Sequence, residues 1–246
     1  MLLTAKTALI TGAANRLGAQ IARTLHQNGA NLIIHYRRSE TAAMALVDDL
    51  NRIRLDSAIA IAADLSASGA TEMLAEKAIQ FKQRLDILVN NASSFYPTPI
   101  GEIDDNNWDD LISSNFKAPL FLAQACYPAL KQTSGNIINM IDIYATKPLA
   151  QHSVYSAAKA ANQMLVKSLA LDLAPDVRVN GIAPGAILWP QEGNNESSAA
   201  QQRILEQIPL QRRGTPESIA QVALMLATNS YITGEIIKVD GGRMLT

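Results

Sequence analysis

Tyr155 and Lys159, in the run Tyr155-Ser156-Ala157-Ala158-Lys159, stand four residues apart. On a helix that spacing puts a phenol and an ammonium on one face, one turn apart. A phenol has a reference pKa of about 10 and is a poor acid–base group at neutral pH. A neighbouring lysine cation stabilises the phenolate, lowers its pKa and eases proton donation to a carbonyl or imine as hydride arrives. The spacing alone is common, so its weight depends on the company it keeps.

The first companion is Thr11-Gly12-Ala13-Ala14-Asn15-Arg16-Leu17-Gly18, directly after an apolar run. Small residues let the backbone turn sharply and approach a pyrophosphate, and a helix beginning there offers free N–H groups and its positive dipole end. Arg16 stands where a glycine is expected, placed over such phosphates and within reach of a substrate; the alternative is a solvated cation at a helix start. The second companion is Tyr36-Arg37-Arg38-Ser39. An acid at this place would bind both ribose hydroxyls of NAD, and none occurs before Glu40. Two arginines and a serine offer charge-assisted hydrogen bonds to a 2′-phosphate instead, which favours NADPH. Asp64 is placed to accept from an adenine amino group or, alternatively, to cap the next helix, a task Ser66 or Ser68 could share.

These residues need a scaffold, and strand and helix signals alternate along the chain. Apolar runs at 7–11, 31–36, 58–63, 87–89, 136–141, 177–182 and 235–239 read as strands. Helical periodicity covers 17–27, 40–54, 71–83, 108–114, 117–131, 154–173 and 216–227, the last capped by Thr215 with Pro216 at its first position. Strands that are apolar throughout imply burial on both faces, hence a parallel sheet covered by helices. The expected fold class is α/β, a Rossmann-type doubly wound parallel sheet in one NADP-binding domain spanning 1–246. Ligands of such sheets bind beyond the carboxyl ends of the strands. The polar stretch 191–200 reads as a mobile loop, part of a substrate-covering segment around 188–205.

Bulk properties agree. With 48% apolar and 17% charged residues among 246, a large buried core is available. The 21 basic and 22 acidic residues give a net charge of -1, and no electrostatic reason to expect nucleic acid. The single cysteine, Cys126, excludes an internal disulfide and fits a reducing, cytoplasmic setting. No apolar stretch approaches the roughly 18–20 residues of a membrane span, and no metal site is expected.

Taken together, TGxxxRxG at 11–18, Asp64, Asn90-Asn91-Ala92, Asn115, Tyr155/Lys159, Pro184-Gly185 and the final Val239-Asp240-Gly241-Gly242 resemble the short-chain dehydrogenase/reductase superfamily from end to end. The resemblance makes Tyr155 the proton donor. It has Lys159 bind the nicotinamide ribose and tune the tyrosine, and Asn115 help hold a structural water and the lysine. It lines the cofactor groove with Gly12, Arg16, Leu17, Tyr36, Leu65, Asn91, Ala92, Ser93, Pro184 and Gly185. It also implies a homotetramer paired through the helices at 117–131 and 154–173, with a contact at 228–246.

Two departures narrow the resemblance. Asp142 stands where most of the superfamily has a serine, and Ser93-Ser94-Phe95-Tyr96-Pro97 follows Asn-Asn-Ala where a glycine is usual. With Arg16 and Arg37-Arg38-Ser39, these features are similar to the pteridine reductase branch. By that similarity Phe95 stacks on a pterin, Ser93 hydrogen-bonds its ring, Arg16 bridges pterin and pyrophosphate, and Asp142 acts with Tyr155. A flat pterin suits an aromatic platform. Reducing its C=N bonds requires a proton on nitrogen, which a carboxyl of raised pKa can supply or relay. Alternatives stay open: Phe95 as a core plug, and Asp142 as a carboxylate paired with Lys147. At the level of function they are a 3-oxoacyl-thioester or other carbonyl reductase, or an NADP sensor without catalysis.

Overall fold

The computed structural model describes residues 1–189 and 198–246. Among these, seven strands form one parallel sheet: β1 (Thr7–Ile10), β2 (Asn31–Tyr36), β3 (Ala58–Ala62), β4 (Ile87–Asn90), β5 (Asn136–Met140), β6 (Arg178–Pro184) and β7 (Ile236–Val239). Their spatial order is β3-β2-β1-β4-β5-β6-β7. The order reverses between β1 and β4, and that reversal opens a crevice at the carboxyl ends of the two strands.

Successive side chains of a strand point to opposite faces, and here both faces are dry. Ala8, Ile10, Leu32, Ile34, Ile87 and Val89 pack beneath α1 (Arg16–Gln27), α2 (Glu40–Ile53) and α8 (Pro216–Thr228). Leu9, Ile33, Leu88 and Ile137 face α3 (Ala70–Lys82), α5 (Ala118–Gln132) and α6 (Ser153–Asp172). Leu9 lies in register with both Ile33 and Leu88, so three fully buried side chains stack across the centre of the sheet. Each contributes about 1.5–3 kcal/mol by leaving water.

Most elements fall within a residue or two of their expected bounds, and α8 begins with a capping box between Thr215 and Ser218. Three expectations are corrected. The helices expected at 108–114 and 117–131 are joined: α4 (Asp105–Ile112) runs through a π-turn (Ser113–Lys117) into α5. Ser114 Oγ donates to the Asp110 carbonyl at 2.7 Å and Asn115 Nδ2 to the Leu111 carbonyl at 3.0 Å. These side chains take up carbonyls that the α-helical ladder would use, which favours the wider turn. Secondly, α7 (Ser198–Glu206) occupies the end of the stretch read as a loop. Its Ala, Gln, Arg, Leu and Glu residues are good helix formers; residues 191–197 of that stretch lie outside the described residues. Thirdly, α3 is preceded by Gly69 in a left-handed conformation, so Ser66 and Ser68 do not cap it.

Candidate active site

A groove of about 440 Å³ lies over the β1–β4 switch point. Of the expected cofactor residues, Gly12, Arg16, Leu17, Tyr36, Arg37, Arg38, Ser39, Asp64, Leu65, Asn91, Ala92 and Ser93 line it; Tyr155, Lys159, Pro184 and Gly185 do not. The glycines are required by contact. A Cβ on Gly12 would sit 2.9 Å from Ala92 Cα, at a φ of +60°, and one on Gly18 would lie 2.6 Å from Asn91 Nδ2. The first turn of α1 carries no acid, and its N-cap Asn15 makes no side-chain cap bond. The backbone donors and dipole of that turn therefore fit an anionic pyrophosphate. Arg16 is exposed, has a φ of +54° and donates to the Trp189 carbonyl at 3.4 Å.

His35, which sequence reasoning missed, ties this loop to the sheet. Its Nδ1 lies 3.1 Å from Gly12 N and its Nε2 3.0 Å from the Ala63 carbonyl. A backbone N–H can only donate and a carbonyl only accept, so the ring is the neutral tautomer protonated on Nε2. Burial pushes its pKa down. The signal in the sequence was a single polar residue inside the apolar run of β2.

At the β2 end of the groove Arg37 pairs with Asp110 at 3.4 Å, a half-exposed contact with a groove-lining acid that the sequence did not flag. Asp64 does not cap α3. Its Oδ1 accepts from the hydroxyl and N–H of Ser66, which hold its carboxyl below the usual range, and Arg37 and Arg38 add to this.

The chemical corner forms where β5 ends and α6 begins. Tyr155 Oη donates to Asp142 Oδ2 at 2.6 Å, and Tyr144 N donates to Asp142 Oδ1 at 2.9 Å. Lys147 bonds the Thr246 carbonyl instead, so its expected pairing with Asp142 is not found. Burial pushes Asp142 upward, opposed by those two hydrogen bonds and by the charges of Lys159 and Arg243. The Arg243 guanidinium lies 5.7 Å from the Tyr144 ring centre. Lys159 is fully enclosed, its Nζ donating to the Met140 carbonyl at 2.8 Å, and burial pulls its pKa down to about 8.

The expectation that Lys159 lowers the Tyr155 pKa is corrected. Burial first, then the neighbouring Asp142, push the phenol well above its ordinary value. Removing a buried phenol's proton beside a carboxylate would create a second buried negative charge, and the ammonium lies 5.7 Å from the ring centre. Tyr155 therefore stays protonated here, its hydroxyl bonded to Asp142.

Phe95 is 50% exposed, which excludes the core-plug alternative. It meets the Tyr155 ring edge-on at 4.8 Å and stacks on His152 at 4.8 Å, a partner not expected from sequence. Its loop is clamped by Asn115: Ser93 Oγ donates to Asn115 Oδ1 at 2.6 Å, and Asn115 Nδ2 donates to the Ser94 carbonyl at 2.9 Å. Asn115 is not bonded directly to Lys159; its own carbonyl accepts from Asn162 Nδ2 at 2.8 Å. Pro184 ends β6, and a Cβ on Gly185 would meet Asp240 at 2.7 Å, so both belong to the β6–β7 edge.

The turn closed by Gly12 and Gly18 at the switch point, with a buried tyrosine and lysine nearby, fits a nicotinamide-dependent oxidoreductase. A family model described as enoyl-(acyl carrier protein) reductase matches residues 12–244, and the chain belongs to the short-chain dehydrogenase/reductase superfamily. It is 37% identical to pteridine reductase 1 of Leishmania tarentolae, covering 99% of this chain and 98% of that protein. It is 35% identical to the 3-oxoacyl-(acyl-carrier-protein) reductase FabG of Staphylococcus epidermidis and 33% identical to the uncharacterized oxidoreductase YmfI of Bacillus subtilis, each covering 96% of this chain and 98% of the relative. Among the described residues no helix is long and apolar enough to cross a membrane, and no group of three or more His, Cys, Asp or Glu side chains is placed to hold a metal ion.

Proposed function

We propose that the protein is a cytoplasmic, single-domain NADPH-dependent pterin reductase, converting a dihydropterin or dihydrofolate to its tetrahydro form. The observation that carries this reading is the 2.6 Å bond between Tyr155 and Asp142. A carbonyl reductase needs neutral donors around the developing oxyanion, and an ionised carboxylate there would repel it. Reduction of a C=N bond instead needs a proton delivered to nitrogen, which a phenol backed by a carboxyl can supply and regain. The similarity to a pteridine reductase over nearly the whole chain supports the same reading.

When bound, the nicotinamide supplies hydride to the ring carbon. Gly12, Leu17, Asn91, Ala92 and the first turn of α1 would hold the pyrophosphate side, with Arg37, Arg38 and Ser39 on the 2′-phosphate. Tyr36, Asp64 and Leu65 would hold the adenine, and Lys159 the nicotinamide ribose, with Pro184 and Gly185 packing behind it. Phe95 would stack on the pterin, Ser93 would bond its ring, and Arg16 would reach between ring and phosphates. Tyr155 gives its proton to the ring nitrogen and takes one back through Asp142, so each turnover uses one hydride and one solvent proton.

A second reading, reduction of a 3-oxoacyl thioester, is favoured by the similarity to FabG. Oxidation of NADPH followed by absorbance, with dihydrobiopterin, dihydrofolate and an acetoacetyl thioester side by side, separates the two. Turnover of a pterin is expected, and turnover of the thioester alone would overturn the proposal. The protein is further proposed to be a homotetramer. Phe121 on α5 and Met164 and Leu171 on α6 are exposed apolar residues that such pairing would cover.

A further inference from the structure

Four asparagines form a continuous buried chain from the middle of the sheet to the candidate active site. Asn90 Nδ2 on β4 donates to Asn139 Oδ1 on β5 at 2.8 Å, and Asn139 Nδ2 donates to Asn162 Oδ1 on α6 at 2.7 Å. Asn162 Nδ2 then donates to the backbone carbonyl of Asn115 in the π-turn at 2.8 Å. The last contact sets the direction of all the others. A backbone carbonyl can only accept, so Asn162 must turn its amide nitrogen toward Asn115 and its oxygen toward Asn139, and the same constraint passes to Asn90.

Asn162 is 1% exposed and lies three residues beyond Lys159, on the helix that carries Tyr155. Asn115 clamps the loop that carries Ser93 and Phe95. We propose that Asn162 is a positioning residue: by holding the Asn115 carbonyl it sets the register between the Ser93–Phe95 loop and the Tyr155/Lys159 helix. Residue 119, the usual helical donor to the Asn115 carbonyl, is a proline without an N–H, and Asn162 supplies a donor from the element whose position matters for proton transfer. This rests on the reading of Tyr155 as proton donor, though not on the identity of the substrate.

The test compares Asn162→Leu with Asn139→Val, each of which breaks the chain at a buried bond and costs stability. In Asn139→Val, Asn162 still holds Asn115; in Asn162→Leu it does not. Asn162→Leu is expected to lower kcat roughly 10-fold or more, because a small misplacement of reacting groups is costly. It should leave NADPH affinity nearly unchanged and speed amide exchange at residues 93–96. Asn139→Val should destabilise comparably while changing kcat and that exchange little. Should Asn162→Leu not fold, Asn162→Ser, too short to span to Asn115, takes its place. Losses of kcat that follow stability equally in both variants, or unchanged exchange at 93–96, would overturn the proposal. Dihydrobiopterin is the substrate, or the acetoacetyl thioester if the wild type turns over only that. A wild type that reduces neither defeats the proposed function, and amide exchange alone then decides the role of Asn162.

Discussion

The hydroxyl of Tyr155 donates to Asp142 Oδ2 at 2.6 Å, and burial raises the pKa of both groups. Tyr155 keeps its proton in this dry environment, and Lys159 and Arg243 are the cations that offset the charge of the Asp142 carboxylate. Tyr155→Phe removes the proposed proton donor while keeping the ring and its packing on Phe95. Turnover should fall about 10²–10⁴-fold, with the NADPH dissociation constant, read by fluorescence, nearly unchanged. Near-normal turnover would remove Tyr155 from the mechanism.

Asp142→Ser tests the carboxyl directly. It should cost more in kcat/KM on dihydrobiopterin than on any carbonyl compound accepted, since the serine can stabilise an oxyanion but cannot relay a proton to nitrogen as readily. Equal losses on both substrate types would make Asp142 a structural cap for the Ile143–Ala145 turn.

The cation of Lys159 governs the basic side of the pH profile. Its folded pKa of about 8 lies below the ordinary value of 10.5. Protonated Lys159 is lost as pH rises through about 8, and kcat/KM should fall there, well before Tyr155 titrates. The stability contribution has the opposite sign. Between the folded and unfolded values the unfolded chain holds the extra proton, so this group makes the fold more stable as pH rises across that window. A kcat/KM profile that stays flat from pH 7 to about 9.5 would contradict the assignment.

Arg37 and Arg38 offer charge-assisted bonds to a 2′-phosphate. Replacing both by alanine should weaken NADPH by roughly 10-fold or more per arginine, at about 1.5–3 kcal/mol for each bond to a charged group. NADH should be little affected. The comparison is made by titrating both cofactors, and equal losses would refute the phosphate assignment.

His35→Leu leaves Gly12 N and the Ala63 carbonyl without their side-chain partner. It should destabilise the fold by about 1–3 kcal/mol per unpaired group and weaken NADPH by loosening the phosphate loop. In the wild type the His35 pKa is lowered, so the unfolded chain binds the proton first and stability falls as pH drops below about 6.5. His26, lowered chiefly by burial, acts with the same sign, so the acid slope should shrink in His35→Leu rather than vanish. An unchanged slope and an unchanged NADPH dissociation constant would exclude the latch.

The parallel sheet, its order of elements and the close turn at Gly12–Gly18 were legible in the chain because they depend on local pattern. Apolar runs such as Asn31–Tyr36 can only be buried on both faces, Gly12 and Gly18 permit a close turn, and Pro216 after Thr215 starts a helix. The Tyr155/Lys159 spacing is likewise a property of one helix turn. The sequence also carried hints that pattern reading passed over, namely polar residues inside apolar strands at His35 and Asn139.

What required the folded molecule was every relationship between residues far apart in sequence. The chain shows a tyrosine and an aspartate thirteen residues apart, but only the packing of β5 against α6 brings them together, and only their joint burial turns the expected lowered phenol pKa into a raised one. The π-turn at Ser113–Lys117, the His152–Phe95 stack and the asparagine chain belong to the same class. Helical periodicity cannot register an extra residue stabilised by side chains. Hydrogen-bond direction is fixed only when a buried donor and acceptor meet with no water to substitute for either.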